Sequence, residues 1–108
     1  MFAVIYRGFV KPGFEAEYQK LWHQIAEYFI QHCGAIGSCL HQAEDGMWLA
    51  YSRWPDKATR DAAWPGENVA SKKSFPDEIQ KAIVVLKDYL DPHRKLPEIC
   101  MTVMDDLL

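Results

Sequence analysis

The hydrophobic and polar positions of this chain change period along its length, and the first change comes near residue 11. Residues 2–10 alternate with period 2, which predicts a strand that ends at Lys11-Pro12-Gly13. From Phe14 onward, apolar residues recur every three or four positions, which predicts a helix that lies on a core and ends at Gly34. The predicted strand has one face of Phe2, Val4, Tyr6, Gly8 and Val10 and a second face of Ala3, Ile5, Arg7 and Phe9.

The middle of the chain predicts an antiparallel hairpin followed by a second helix. Residues 36–43 and 47–53 have the pattern of strands, and the Asp45-Gly46 pair between them is typical of a tight turn. Pro55-Asp56 is a helix start signal, and we expect the second helix to run from there toward Trp64.

The last third of the chain predicts one more helix and one more strand. Pro65-Gly66 stops the second helix, and a polar loop covers residues 67–74. An apolar stripe then starts after Pro76 and is terminated by Asp91-Pro92, which predicts the third helix. Residues 97–104 alternate again and predict the closing strand.

The element order β-α-β-β-α-α-β predicts an α+β fold of the ferredoxin-like, split βαβ type. We expect an antiparallel four-stranded sheet with its helices on one face, in a single domain that spans residues 1–108. The other sheet face, which contains Ala3, Ile5, Arg7 and Phe9, is partly apolar and would form an exposed patch in a monomer. A homodimer in which two sheets pack face to face about a two-fold axis is the simplest cover for it.

Composition narrows the class of protein. The 108 residues are 49% hydrophobic and carry a formal net charge of −3, which fits a globular domain and argues against nucleic acid as a partner. The apolar N-terminus is interrupted by Arg7 and closed by Pro12-Gly13, so it predicts neither a secretory signal nor a membrane span. Three cysteines without a closely spaced framework suit a reducing compartment. We therefore expect a cytoplasmic protein with no membrane partner.

Three segments carry a resemblance to a known family: VKPG after the first strand, HCGAIGSCLHQAEDGMWLAYSRWPD across the hairpin, and RDAAW in the second helix. They resemble the antibiotic biosynthesis monooxygenase family over residues 2–66, and the rest of the chain agrees by topology. The resemblance implies a dimeric α+β barrel that binds a small aromatic compound, such as a polyketide or a quinol, between sheet and helices. Some members of this family oxygenate their substrate with O₂ and without metal or organic cofactor.

The candidate catalytic residues are Tyr6, Trp64 and His41. A deprotonated phenol or hydroquinone can itself pass an electron to O₂, so the protein needs only to bind it, favour its ionisation and exclude water. Tyr6, on the helix-facing side of the first strand, and Trp64, at the end of the second helix, are the expected lining residues. His41 could accept a phenolic proton, although a surface histidine is the plainer interpretation. Tyr6 and Trp64 also have plainer interpretations as core residues.

The haem-degrading branch of the family is a poor match. That branch uses an asparagine, a tryptophan and a histidine, and the histidine binds the haem iron. Trp64 matches the tryptophan, but Tyr6 stands at the asparagine position and Ser74 at the histidine position. The resemblance therefore argues against haem and implies no cofactor.

Two further groups of residues have structural interpretations. His32-Cys33 and the pair Cys39 and His41 contain metal-ligand types, but their spacing fits no common zinc site, so no metal is expected. Arg7 and Arg53 are expected to pair with acids at the dimer face rather than to bind an anion. Trp22 and Trp54 are expected in the core. Two functions thus remain open: a cofactor-independent monooxygenase, or a homodimer of the same fold that binds a small ligand without catalysis.

Overall fold

A computed structural model describes residues 1–64 and 75–108 of the chain. The predicted order of elements is confirmed, although most elements are a few residues shorter than the pattern suggested. The predicted stop at Pro65-Gly66, the polar loop 67–74 and the comparison at Ser74 lie outside the described residues. The elements are β1 (Phe2–Gly8), α1 (Glu15–His32), β2 (Gly37–Gln42), β3 (Trp48–Trp54), α2 (Lys57–Ala63), α3 (Asp77–Asp88) and β4 (Ile99–Thr102), with a 3-10 turn at Pro92–Arg94.

The four strands form one antiparallel sheet in the order β2-β3-β1-β4, and the predicted ferredoxin-like α+β class is confirmed. The register places Phe2 opposite Trp54 and Tyr6 opposite Ala50. Because side chains directly opposite each other point to the same face, this register puts the even-numbered residues of β1 and β3 on one side. Phe2 and Trp54 belong to the core beneath the helices, so this is the helix-facing side.

The end of α1 is determined by a glycine, as predicted. Gly34 has a φ of 84°, and the Ala35 amide donates to the Phe29 carbonyl across the turn at 3.2 Å. A Cβ at Gly34 would lie 2.9 Å from the Cγ2 atom of Thr59 on α2. Position 34 therefore needs glycine both for its backbone conformation and for the close approach of α2.

The hairpin between β2 and β3 is closed by the predicted Asp-Gly pair. The Asp45 carboxylate accepts the Met47 amide at 3.0 Å, and Gly46 adopts a φ of 91°. The Ala43 amide donates to the Met47 carbonyl at 2.7 Å. These contacts set the register that carries β3 back across the sheet.

The short helix α2 is capped by Asp56, whose carboxylate accepts the Thr59 amide at 2.7 Å. Its last turn carries Arg60, and Trp64 follows at its C-terminal end. Residues four positions apart lie on the same side of a helix, so Arg60 and Trp64 both approach the sheet. This helix thereby positions two side chains of the candidate site.

The sheet is incomplete beside the second half of β1. The strand β4 pairs only with residues 2–5 of β1, whereas β3 pairs with all of Phe2–Gly8. Residues 97–98 were predicted as part of the last strand, but Pro97 has no N–H for a sheet ladder and its carbonyl instead accepts Arg7 Nη2 at 3.0 Å. A gap in the sheet therefore lies between Tyr6–Gly8 and the segment that leads into β4.

Among residues 1–64 and 75–108, no helix has the length and hydropathy that crossing a membrane requires.

Candidate functional site

A cavity of about 880 Å³ lies between the helix-facing side of the sheet and the helices. Its walls come from β1, β2, β3, α1, α3, the end of α2 and the segment from Leu90 to Glu98. That volume falls within the range of small-molecule sites, about 300–1,000 Å³. Its surface is mostly apolar, and several of its polar groups come from β1 and from the segment before β4.

The structure brings Tyr6 and Trp64 together in this cavity. Their ring centroids are 6.2 Å apart with the planes inclined by 60°, and the Trp64 ring also packs edge-to-face on Phe29 at 5.5 Å. Lys87 Nζ lies 5.8 Å from the centre of the Trp64 ring. Both side chains are only partly buried by the protein, so their remaining surface lines the cavity. An aromatic ligand would meet both rings.

Arg60 is the residue that determines the polar end of this site. Its side chain is only 8% exposed, and its Nη2 atom donates to the Tyr6 hydroxyl at 3.3 Å and to a Glu98 carboxylate oxygen at 2.5 Å. Its Nη1 atom donates to Asp61 at 3.3 Å. A buried guanidinium is stable only when its charge is matched, and here two carboxylates supply the match. Arg60 thus fixes the orientation of the Tyr6 hydroxyl.

The protonation states at this end follow from burial and from these hydrogen bonds. Burial raises the pKa of the Tyr6 phenol, and the hydrogen bond from Arg60 only partly offsets that effect. Burial alone would lower the pKa of Arg60, but the hydrogen bonds with Tyr6 and Glu98 outweigh it and raise that pKa. Tyr6 is therefore a neutral phenol near pH 7. Because its oxygen accepts from Arg60, its own O–H can donate to a ligand.

Two further groups on the sheet floor can recognise a ligand. Ser38 Oγ and Ser52 Oγ lie 3.3 Å apart on neighbouring strands, and both residues line the cavity. Trp54 is 2% exposed, and its indole N–H has no acceptor in the described parts of the chain. A buried donor without an acceptor is costly, so a polar atom of a bound molecule would stabilise it.

His41 does not lie with Tyr6 and Trp64. It is exposed on the edge strand β2, where its Nδ1 atom lies 3.3 Å from the Leu49 carbonyl. Ser38 of the same strand lines the cavity, so His41, at an odd-numbered position, points to the opposite side of the sheet. Within one chain the imidazole therefore cannot reach a ligand bound beside Tyr6.

Sequence reasoning missed several residues of the site. Trp22, expected in the core, is only half-buried and lines the cavity, and Trp54 lines it while also belonging to the core. Arg60 was not singled out, although its position four residues before Trp64 on a short helix was an available signal. Glu98 gave no signal, because its role depends on a contact with a residue 38 positions away.

The metal-ligand types noted in the sequence do not assemble. In residues 1–64 and 75–108, no group of three or more His, Cys, Asp or Glu side chains has a geometry that could hold a metal ion. The expected pairing of Arg53 with an acid is present within the chain, because Arg53 contacts Asp106. Arg7, for which the same was expected, contacts the Pro97 carbonyl instead.

Comparison with solved structures identifies the fold. No family model matches the chain, and no curated protein gives a significant sequence match. SnoaB, a cofactor-independent oxygenase from Streptomyces nogalater, is similar with a TM-score of 0.70 at 16% identity, over 98% of this chain and 95% of that chain. Rv0793 from Mycobacterium tuberculosis is similar with a TM-score of 0.70 at 14% identity, over 99% and 98%.

A crystal structure of an antibiotic biosynthesis monooxygenase gives a TM-score of 0.70 at 16% identity, over 97% of this chain and 100% of that chain. The chain thus has the fold of the antibiotic biosynthesis monooxygenase structures, and the resemblance noted in the sequence is confirmed at the level of the fold. Identities this low establish architecture, whereas activity has to be argued from the site.

Proposed function

We propose that this protein is a cofactor-independent monooxygenase that oxidises a small electron-rich aromatic, a quinol or a polyketide-like phenol, with O₂. The observation that carries the proposal is the cavity of about 880 Å³ in which a neutral tyrosine hydroxyl, held by a buried arginine, lies beside a tryptophan ring. The similarity to SnoaB, which is a cofactor-independent oxygenase, supports it.

The reaction needs no external reductant. The substrate loses two hydrogen atoms and gains one oxygen atom from O₂, and the second oxygen atom leaves as water with those two hydrogens. All four electrons that reduce O₂ come from the substrate. The protein has to stabilise the phenolate that donates the first electron and to keep bulk water from the oxygenated intermediate.

Tyr6, Trp64 and Arg60 have distinct parts in this proposal. The Tyr6 O–H donates to the substrate oxygen and stabilises the negative charge that develops on it. The Trp64 ring stacks against the substrate and holds it in place. Arg60 is a positioning residue, because it acts through the Tyr6 hydroxyl and does not itself line the cavity. His41 has no part in the proposed step.

The proposal includes a two-fold homodimer formed through the outer face of the sheet. In the single chain this face is only partly covered, since Ile5 and Tyr51 are half-buried and Ile99 is 38% exposed. Asp106 pairs with Arg53 on this face, so the C-terminal residues cover part of it. A second sheet packed on the remainder would bury the apolar side chains that one chain leaves in water.

The direct test is oxygen consumption by the purified protein, without added metal or cofactor, across a panel of anthrones and hydroquinones. Catalysed uptake with one class, with one O₂ consumed per product molecule and unchanged by a chelator, supports the proposal. Saturable binding of an aromatic from the same panel, without any uptake above the uncatalysed rate, would instead support the alternative function, small-ligand binding without catalysis.

A further inference from the structure

The four arginines of the chain divide into two pairs with different environments. Arg53 and Arg60 form ion pairs with carboxylates, at Asp106 and at Glu98 and Asp61. Arg7 and Arg94 have no carboxylate partner among residues 1–64 and 75–108. Both of these unpaired arginines line the cavity.

Arg7 is held at the gap in the sheet. Its Nη2 atom donates to the Pro97 carbonyl at 3.0 Å, while its Nε–H is buried and has no acceptor in the described residues. A neutral carbonyl satisfies only one of the five N–H groups of a guanidinium. The charge of Arg7 is therefore partly withdrawn from water, and no acid among the described residues balances it. This state is unfavourable unless a ligand supplies the missing negative charge.

Arg94 belongs to the segment between α3 and β4 and also lines the cavity. Its guanidinium carbon is 3.3 Å from the centre of the Phe9 ring, so the planar group stacks on the aromatic face. Phe9 is two residues from Arg7 in the chain, and Arg7 and Arg94 both line the cavity. Stacking occupies the face of a guanidinium and leaves its in-plane N–H groups able to donate.

Two acids that line the cavity are already engaged elsewhere. Asp91 accepts the His93 amide at 2.9 Å, and Glu98 pairs with Arg60. The Glu98 charge is therefore already balanced by Arg60 rather than by Arg7 or Arg94. Lys87 and Lys95 also line the cavity.

We infer that the molecule bound in this cavity is an aromatic acid, and that Arg7 and Arg94 bind its carboxylate at the gap beside β1. Guanidinium groups match the two oxygens of a carboxylate with parallel charge-assisted hydrogen bonds. The aromatic part then extends inward to Trp64, and its phenolic oxygen meets Tyr6. This inference rests on the proposed function for the aromatic part of the ligand and adds the anionic group that orients it.

The test compares two ligands that differ only in charge, 2-naphthoate and 2-naphthamide, with binding measured by quenching of tryptophan fluorescence and by calorimetry at fixed ionic strength. We expect the wild type to bind naphthoate about tenfold tighter than naphthamide. Arg94→Gln should remove about tenfold of the affinity for naphthoate and leave the affinity for naphthamide unchanged. Lys20→Gln, which removes an exposed charge outside the cavity, is the matched control.

Substitution of Arg7 provides an independent test of the anion site. Arg7→Lys keeps the charge but loses the planar donor fork, so naphthoate should bind more weakly to it while naphthamide binding stays the same. Because Arg94 is exposed, we expect the Arg94→Gln protein to fold normally. It therefore keeps the test decisive even if the Arg7→Lys protein fails to fold.

Equal binding of the two ligands to the wild type, or an Arg94→Gln protein as tight for naphthoate as the Lys20→Gln control, would overturn the anion site while leaving the aromatic cavity intact. Failure of both ligands to bind the wild type would overturn the proposed function together with it.

Discussion

Replacing Tyr6 with phenylalanine is the sharpest test of the catalytic proposal. The substitution keeps the ring that packs beside Trp64 at 6.2 Å and removes only the hydroxyl that Arg60 holds at 3.3 Å. Arg60 keeps its contacts with Glu98 and Asp61, so its charge stays matched. The change therefore isolates one oxygen atom.

The expected cost to folding is small. The lost hydrogen bond is long, and a typical intramolecular hydrogen bond contributes about 0.5–1.5 kcal/mol to stability, so we expect a loss near the lower end of that range. The expected cost to catalysis is larger. If the hydroxyl stabilises charge that develops on the substrate oxygen, kcat should fall by about ten- to a hundredfold, or roughly 1.4–2.7 kcal/mol, with little change in substrate binding.

The assay is oxygen uptake over a range of substrate concentrations, which separates kcat from KM. Tyr51→Phe is the matched control, because Tyr51 lies on the outer face of β3 and does not line the cavity. The pH profile gives a second readout. Since burial raises the pKa of Tyr6 above its ordinary value of 10.0, its O–H should remain a donor from neutral pH to beyond pH 10 and be lost only as the pH rises through that raised pKa.

A Tyr6→Phe enzyme that keeps the wild-type kcat would refute the role assigned to the hydroxyl. A loss of activity equal to that of Tyr51→Phe would do the same. A wild-type rate that falls with an ionisation below pH 10, and does so only when Tyr6 is present, would contradict the protonation state inferred from burial.

Four other predictions follow from the same structure. Trp64→Phe should weaken binding of an aromatic ligand by about 0.5–1.5 kcal/mol in a fluorescence titration, and unchanged affinity with lower thermal stability would make Trp64 a core residue only. Ile5→Asp should convert a dimer to monomer or aggregate in sedimentation, and a fully dimeric, equally stable variant would remove the proposed interface. Gly34→Ala should lower the free energy of unfolding in urea more than Gly13→Ala does. Both glycines have φ near 90°, but only a Cβ at Gly34 would contact Thr59, at 2.9 Å. Equal losses of unfolding free energy would show that this contact relaxes freely. Titration with hemin should give only a weak, non-saturating spectral change, whereas a stoichiometric Soret shift abolished by replacing one histidine would restore the haem branch.

Local chemistry explains which parts of this molecule were predictable from sequence. The alternation in residues 2–8, the Asp45-Gly46 turn and the positive φ at Gly34 depend on near neighbours in the chain, so they can be recognised without coordinates. The alternation also assigned Tyr6 to the helix-facing side. Once the second helix was placed after β3, the meeting of Tyr6 with Trp64 followed from the fold.

The rest of the site was decided by tertiary structure. Period-2 alternation puts Cys39 and His41 on one face of a strand, but only the pairing of β2 with β3 decides that this face points away from the cavity. Arg60 and Glu98 meet because α2 and the segment before β4 converge on Tyr6, and no local pattern encodes that convergence. The cavity itself is a volume that the packed elements leave unfilled. Its size and the places of Trp22, Arg7 and Arg94 in its wall are therefore decided only when the sheet, the helices and the connecting segment have packed together.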